Sequence, residues 1–208
     1  MSELEFYKTI EQPAVAEFKD RGSKFIAFAY PIETVSDFKK YLQQLKKEHI
    51  KAVHHCFAYR LGTDGNNFRI SDDGEPSGAA GKPILGQIDS KEVTNITIII
   101  VRYFGGTLLG VPGLINAYKT VASLALQVTP IVPKQIEVRY LIHFDHTQVN
   151  EVMMVIKQCS CTIITQEMQL FCNITAGIPK SRLTEVLYRL NGVQNVETKK
   201  LDQSGGFL

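Results

Sequence analysis

The sequence predicts an α+β protein of two domains, and three observations carry that. Apolar residues recur with the two-residue period of strands in some stretches and the 3.6-residue period of helices in others. Thr129-Pro130-Ile131-Val132-Pro133-Lys134 holds two prolines in six residues without periodicity, so it separates residues 1–134 from residues 135–208. Beyond that break, the order strand–helix–strand–strand–helix–strand is that of a ferredoxin-like β-α-β-β-α-β sandwich. A chain of 208 residues suits one large or two small domains, each with a working core.

Ala14 to Lys19 and Lys24 to Pro31 read as strands about a turn at Arg21-Gly22. Thr34 with Asp37 three residues on is a capping-box-like helix start. Val35, Phe38, Tyr41, Leu42 and Leu45 give that helix its apolar face, with Lys39, Lys40, Lys46 and Lys47 mostly off it as a solvated face. Val53 to Arg60 is a strand, and Asp64-Gly65 with Asn66-Asn67 supplies the turn of a hairpin returning through Phe68 to Ser71. A loop from Ser71 to Pro83 follows. Ile96 to Val101 is almost all β-branched, the mark of a strand buried on both faces. Pro112 fits the first turn of a helix running to Leu126, with Leu114, Ile115, Tyr118, Val121, Ala122 and Ala125 at helical spacing.

In the second domain Ile136 to Phe144 alternates as a strand, and Asp145 with Gln148 caps a helix through about Cys159. Cys161 to Thr165 and Gln169 to Ala176 are the next two strands. Pro179 opens a helix bearing Leu183, Val186, Leu187 and Leu190 that stops at Asn191-Gly192, and Val193 to Leu201 is the last strand. Ser204 to Leu208 is expected to fray.

Net charge is +2, from 23 Lys+Arg against 21 Asp+Glu, which excludes a polybasic protein; any nucleic-acid site must be a local patch. The acidic, polar start lacks a basic n-region and an apolar h-region, and no apolar run approaches the ~20 residues of a membrane span. The expectation is a cytoplasmic protein that does not engage a membrane. Cys56, Cys159, Cys161 and Cys172 form neither a disulfide framework nor a Cys-x-x-Cys pair. Cys161 and Cys172 could face each other across a hairpin centred near Gln166-Glu167, with Cys159 on the same side and His143 or His146 as a fourth metal ligand. Buried structural thiols are the plainer reading.

The chemistry concentrates in residues 102–113, Arg-Tyr-Phe-Gly-Gly-Thr-Leu-Leu-Gly-Val-Pro-Gly. A strand ends in an arginine, crosses a glycine-rich loop and enters a helix by its electropositive end. Backbone N–H groups, a helix dipole and a guanidinium are thereby offered to an anion. A tight connection whose glycines only relieve sterics accounts for the same residues. Lys19, Arg21 and Lys24 put three cations near another turn. Gly78 to Pro83 fails as a Walker A loop, because Pro76 holds the first glycine position and Pro83 replaces the Ser/Thr, yet Lys82 remains a cation for an anion site.

His54 and His55 are adjacent on a strand and point to opposite faces. His55 shares its face with Val53, Phe57 and Tyr59 and is the expected core histidine; His54 is the expected occupant of a polar cleft. A Cys56 nucleophile with His54 as base is disfavoured, since residues i and i+2 of a strand lie ~7 Å apart. Asp72, Asp73 and Glu75 fall in one loop. They could hold a divalent ion, although the spacing fails the EF-hand pattern, or form a solvated turn that fixes its own backbone.

Gly81, Ile84-Leu85, Ile88, Val93, Ile99-Ile100 and Arg102-Tyr103-Phe104-Gly105-Gly106, closed by Leu109-Gly110, resemble the signature of the YigZ/IMPACT family. Lys19 to Phe25, Ala52 to Arg60 and Ser71 to Pro83 agree with it, so the resemblance covers about residues 15–126 in order. It implies a first domain with the fold of the second domain of ribosomal protein S-five. It also implies a second domain similar to the last domain of elongation factor G. Most bacterial members have no established activity. Eukaryotic IMPACT proteins regulate translation by opposing activation of an amino-acid-starvation kinase through an additional N-terminal domain. The residues before Glu17 leave no room for that domain, so the kinase pathway is not expected to carry over.

The expected function is that of a non-catalytic, translation-associated regulatory protein binding RNA or a ribosomal or translation-factor surface, without a cofactor. Arg21, Lys24, Lys82, Arg102 and the amides of Gly105, Gly106 and Gly110 would contact phosphates, with Tyr103 or Phe104 stacking on bases. One alternative is an enzyme acting on a phosphorylated small molecule, with His54 as acid/base and Asp72, Asp73 and Glu75 holding Mg²⁺. The other is a protein–protein interaction module. The sequence carries no signal of oligomeric state.

Overall fold

The computed structural model of the chain describes residues 5–201, so the expected fraying of Ser204 to Leu208 lies outside the described residues. The architecture is α+β, in two compact units. Tyr7–Lys134 form one, and Glu5 and Phe6 join Gln135–Leu201 in the other.

The first unit is built on a five-stranded sheet. Its strands are β2 (Ala14–Asp20), β3 (Ser23–Pro31), β4 (His54–Leu61), β5 (Asn67–Ser71) and β6 (Ile96–Tyr103), in the order β2-β3-β6-β4-β5 with antiparallel neighbours. The β-branched run makes β6 the central strand, buried from Ile96 to Arg102. Ile96, Ile98, Ile99 and Ile100 are fully enclosed, each contributing about 1.5–3 kcal/mol over an exposed side chain. Three helices cover the sheet: α1 (Val35–Glu48), α2 (Gly81–Ser90) and α3 (Gly110–Gln127). Ile98 and Ile100 pack in the α2/α3 core with Ile84, Ile88, Ala117 and Val121; Ile99 packs in the α1 core with Phe38, Leu45 and Phe57. The capping box of α1 forms as expected, Thr34 Oγ1 accepting from the Asp37 N–H and the Asp37 carboxylate from the Thr34 N–H.

Two departures from expectation matter here. Residues 81–90 are helical where the expected loop ran to Pro83 and no helix was expected after it, because the N-terminus of α2 is capped by the remote Asp72 side chain rather than by a neighbour. The Pro130/Pro133 stretch is not structureless: β7 (Ile131–Gln135) pairs with β1 (Phe6–Ile10) in a two-stranded ribbon, where a proline need break no central ladder.

The second unit carries β8 (Glu137–Asp145), α4 (Val149–Gln158), β9 (Thr162–Met168), β10 (Phe171–Pro179), α5 (Leu183–Asn191) and β11 (Val196–Lys200). Sheet order β11-β8-β10-β9 with antiparallel neighbours is the ferredoxin-like arrangement. Ile142, Phe144, Ile174 and Ile178 meet Val152, Ile156, Val186 and Leu190 in its core. Asp145 does not cap α4; its carboxylate accepts from Asn195, and the helix enters through a 3-10 turn at His146–Gln148.

The hairpin turns later than Gln166-Glu167, so Cys172 pairs with Met168 and does not face Cys161. Cys159 contacts Glu185 and Arg189, while His143 contacts Asn173. The thiolate metal site is thereby corrected to separate, partly or wholly buried cysteines. Among the described residues no three His, Cys, Asp or Glu side chains are grouped to hold a metal ion. No helix among them is long and apolar enough to cross a membrane.

Candidate functional site

The site lies at the C-terminal end of β6, where Arg102 stands beside His54 of β4 and Phe25 of β3 in register. Two residues beyond Ile100, it continues the stripe facing α2 and α3, so a charge enters an apolar layer. Arg102 is 5% exposed. Its Nη1 donates to Glu75 Oε1 at 2.6 Å, and the Tyr118 hydroxyl donates to the same oxygen at 2.8 Å. Nη2 reaches Ser23 Oγ at 3.4 Å, and that hydroxyl also accepts from the Gly105 N–H at 3.2 Å. The guanidinium lies between the rings of Phe25 and Phe104, 5.4 and 5.7 Å from their centroids, while its buried Nε has no hydrogen-bond partner.

A buried charge needs such a partner set, because an unpaired one carries a desolvation cost of several kcal/mol. Here the pair knits four elements together. Glu75 belongs to the acidic loop, Tyr118 to α3, Ser23 to the start of β3 and Arg102 to β6. The structure therefore corrects the expectation of Arg102 as a phosphate contact: its guanidinium is enclosed and engaged by a carboxylate.

The other carboxylates of the loop are equally committed, which overturns the Mg²⁺ reading of Asp72, Asp73 and Glu75. Asp72 accepts from the N–H groups of Gly78, Ala80 and Gly81 at 2.8–3.0 Å, capping α2. Asp73 accepts from the His55 N–H at 2.7 Å. Burial works against the charge on Asp72, but those three N–H groups outweigh it and hold its carboxyl below the usual carboxylate range. A depressed carboxyl stabilises the fold above its unfolded value, ~3.9, and loses that contribution as pH falls through the lower folded value. Asp72→Ala should therefore cost about 1–2 kcal/mol in urea unfolding at pH 7 and less below pH 3. An equal loss at both pH values would sink this account.

His54 is partly exposed, among polar groups. Its Nδ1 lies 2.7 Å from the Asp73 carbonyl, which can only accept, so that nitrogen carries the proton; Nε2 is 3.9 Å from Glu75 Oε2. His55 is buried on the α1 face, as expected. Cys56 is fully enclosed, 3.2 Å from the Tyr118 hydroxyl, and burial pushes its thiol far above the ordinary range. Burial likewise pushes the Tyr118 phenol up. Neither group ionises near neutral pH, so neither can serve as a nucleophile there.

The remaining expected contacts divide. Lys24 bridges to Glu17 at 2.6 Å, and the Gly105 N–H is spent on Ser23. Tyr103 turns towards the end of α1, its hydroxyl 2.8 Å from His49 Nδ1, so it is not the stacking face. Phe104 is 47% exposed, and Leu108 beyond it is 82% exposed. Arg21, Lys82, Gly106 and Gly110 are all exposed, and the start of α3 has no side-chain cap. Gly106 and Gly110 have φ of +85° and +69°. Sequence reasoning passed over Ser23 as a partner and read Tyr118 only as part of an apolar face.

A family model described as the Impact N-terminal domain matches residues 21–126, a span holding most of this network. The IMPACT family member YigZ of Escherichia coli is 33% identical over 172 residues, covering 82% of this chain and 84% of that protein. Protein IMPACT of Rattus norvegicus is 33% identical over 100 residues, 46% of this chain but only 31% of the rat protein. A solved structure, described as the crystal structure of an hypothetical protein, superposes with a TM-score of 0.74 at 28% identity, over 96% of this chain and 98% of that one.

Proposed function

The chain belongs to the YigZ/IMPACT family, and from that premise we propose that it is a cytoplasmic, translation-associated regulatory protein that binds RNA or a ribosomal or translation-factor surface. One observation carries the choice of site. The Arg102–Glu75–Tyr118 bridge is sealed, and it braces a loop whose outer face is exposed: Phe104, Gly106 and Leu108, followed by the uncapped start of α3. Arg21 and Lys82 are the exposed cations remaining from the expected set. A braced loop with open amides suits binding, since little conformational entropy is lost on contact.

The test is fluorescence anisotropy with a single-stranded RNA and with ribosomes at 50 and 200 mM salt. A double variant, Arg21→Ala with Lys82→Ala, should lower the salt slope for RNA by about 1–2 and weaken binding several-fold. Absence of binding to both RNA and ribosomes would overturn the reading. The second reading, a phosphate-directed enzyme, draws on His54 Nε2 facing Glu75 at the edge of the network. In a binding protein, His54→Ala should change affinity about fivefold at most. A hydrolytic activity lowered 10²- to 10⁴-fold by the same change would favour the enzyme.

A further inference from the structure

Strand register brings several separate segments to one end of the five-stranded sheet. Lys24 pairs with Tyr103, the Val53 N–H donates to the Arg102 carbonyl, and the backbone of Gly22 touches that of Gly105. The β2–β3 turn, the segment from α1 to β4, and the glycine loop therefore share that end. Phe104, Leu108 and Val111 of the loop and the start of α3 are exposed apolar side chains, and Ile50 at 82% and Val53 at 51% are exposed in the segment from α1 to β4. The exposed charges around it are mostly basic, with Arg21, Lys46, Lys47 and Lys51 against Glu48.

Three large exposed apolar side chains within eight residues, beside exposed charge, mark a protein-binding surface. Phosphate recognition does not explain this one. Leu108, Val111 and Ile50 are aliphatic and can neither stack on bases as aromatic rings do nor neutralise phosphate, and the arginine nearest the loop is enclosed. The tip is also rigid, because Gly105 is locked against the β2–β3 turn and Arg102 is pinned beneath it.

We propose that Phe104 and Leu108 anchor this protein to another protein of the translation machinery, inserting into an apolar pocket whose rim carries carboxylates. This rests on the translation-associated reading above and selects a protein surface over RNA as the partner. Apolar insertion supplies the affinity, and the basic rim mainly speeds association.

The test uses the full chain with two probes: ribosomes prepared at low salt, which retain their bound factors, and protein-free ribosomal RNA. Wild type should bind these ribosomes with little loss between 50 and 200 mM salt and should not bind the RNA. Leu108→Glu should lose at least tenfold in affinity with an unchanged thermal midpoint, as expected of an exposed side chain. The Arg21→Ala, Lys82→Ala variant should lose less. Salt-sensitive binding to protein-free RNA that Leu108→Glu leaves intact would overturn this inference while sparing the function proposed above. Failure to bind either probe would overturn both.

Discussion

Arg102→Ala should lower the free energy of unfolding by about 3–5 kcal/mol, because it leaves Glu75 as an unpaired charge in a closed site. Glu75 is 8% exposed, and its Oε1 would keep only the Tyr118 hydroxyl. Urea unfolding followed by circular dichroism reads this directly. Replacing both partners, Arg102→Met with Glu75→Gln, should cost less than either Arg102→Ala or Glu75→Ala, since no buried charge is stranded. The gap between this double variant and the sum of Arg102→Met and Glu75→Gln made singly measures the coupling. A loss below about 1 kcal/mol for Arg102→Ala would mean that the bridge is dispensable to the fold.

Gly105→Ala should be nearly as damaging, at about 3 kcal/mol, for a different reason. A Cβ there would coincide with the Gly22 carbonyl carbon and press on the Ser23 backbone nitrogen. Both obstacles are backbone, so no rotamer change relieves them. Gly106 is the control: a Cβ meets nothing within 4 Å, and only its φ of +85° opposes substitution. Gly106→Ala should therefore cost about 1–2 kcal/mol. If the two alanine variants melt together, the close approach of the two turns is not what holds the loop.

Much of the fold was legible because its signals are local. The isoleucines of β6, the Thr34/Asp37 box and the alternation of β8 each identify an element from neighbouring residues. The misses share the opposite property. α2 is capped by Asp72 nine residues before its first residue, and it contains Pro83 and Gly86, so no local start signal exists. β1 and β7 are short, and each becomes a strand only by finding the other far along the chain.

The site was half legible for the same reason. His54 and His55 were assigned to the correct faces by the strand period alone. Arg102 sits two residues after Ile100, so that same period already placed it on the core face. Reading it as an anion contact followed from the glycines after it rather than from the register. Its partner Glu75 lies 27 residues away in a loop without periodicity, and no spacing rule connects the two. Asp72, Asp73 and Glu75 look alike as a cluster of acids, but tertiary structure gives each a separate donor.

The β1–β7 ribbon also sets a clock on synthesis. Ile136 donates its N–H to the Glu5 carbonyl, and β1 finds its strand partner only in Ile131–Gln135. At a translation rate of about 5–20 residues per second, residues near position 10 must wait roughly 6–25 s for those near 131 to be made. The delay is longer still by the time the exit tunnel takes to clear. β1 thus leaves the ribosome well before the strand that completes its ribbon. Through that interval the edge of β1 that faces β7 stands open to any chaperone that scans nascent chains, its other edge being held at Lys8 by the Thr94 N–H.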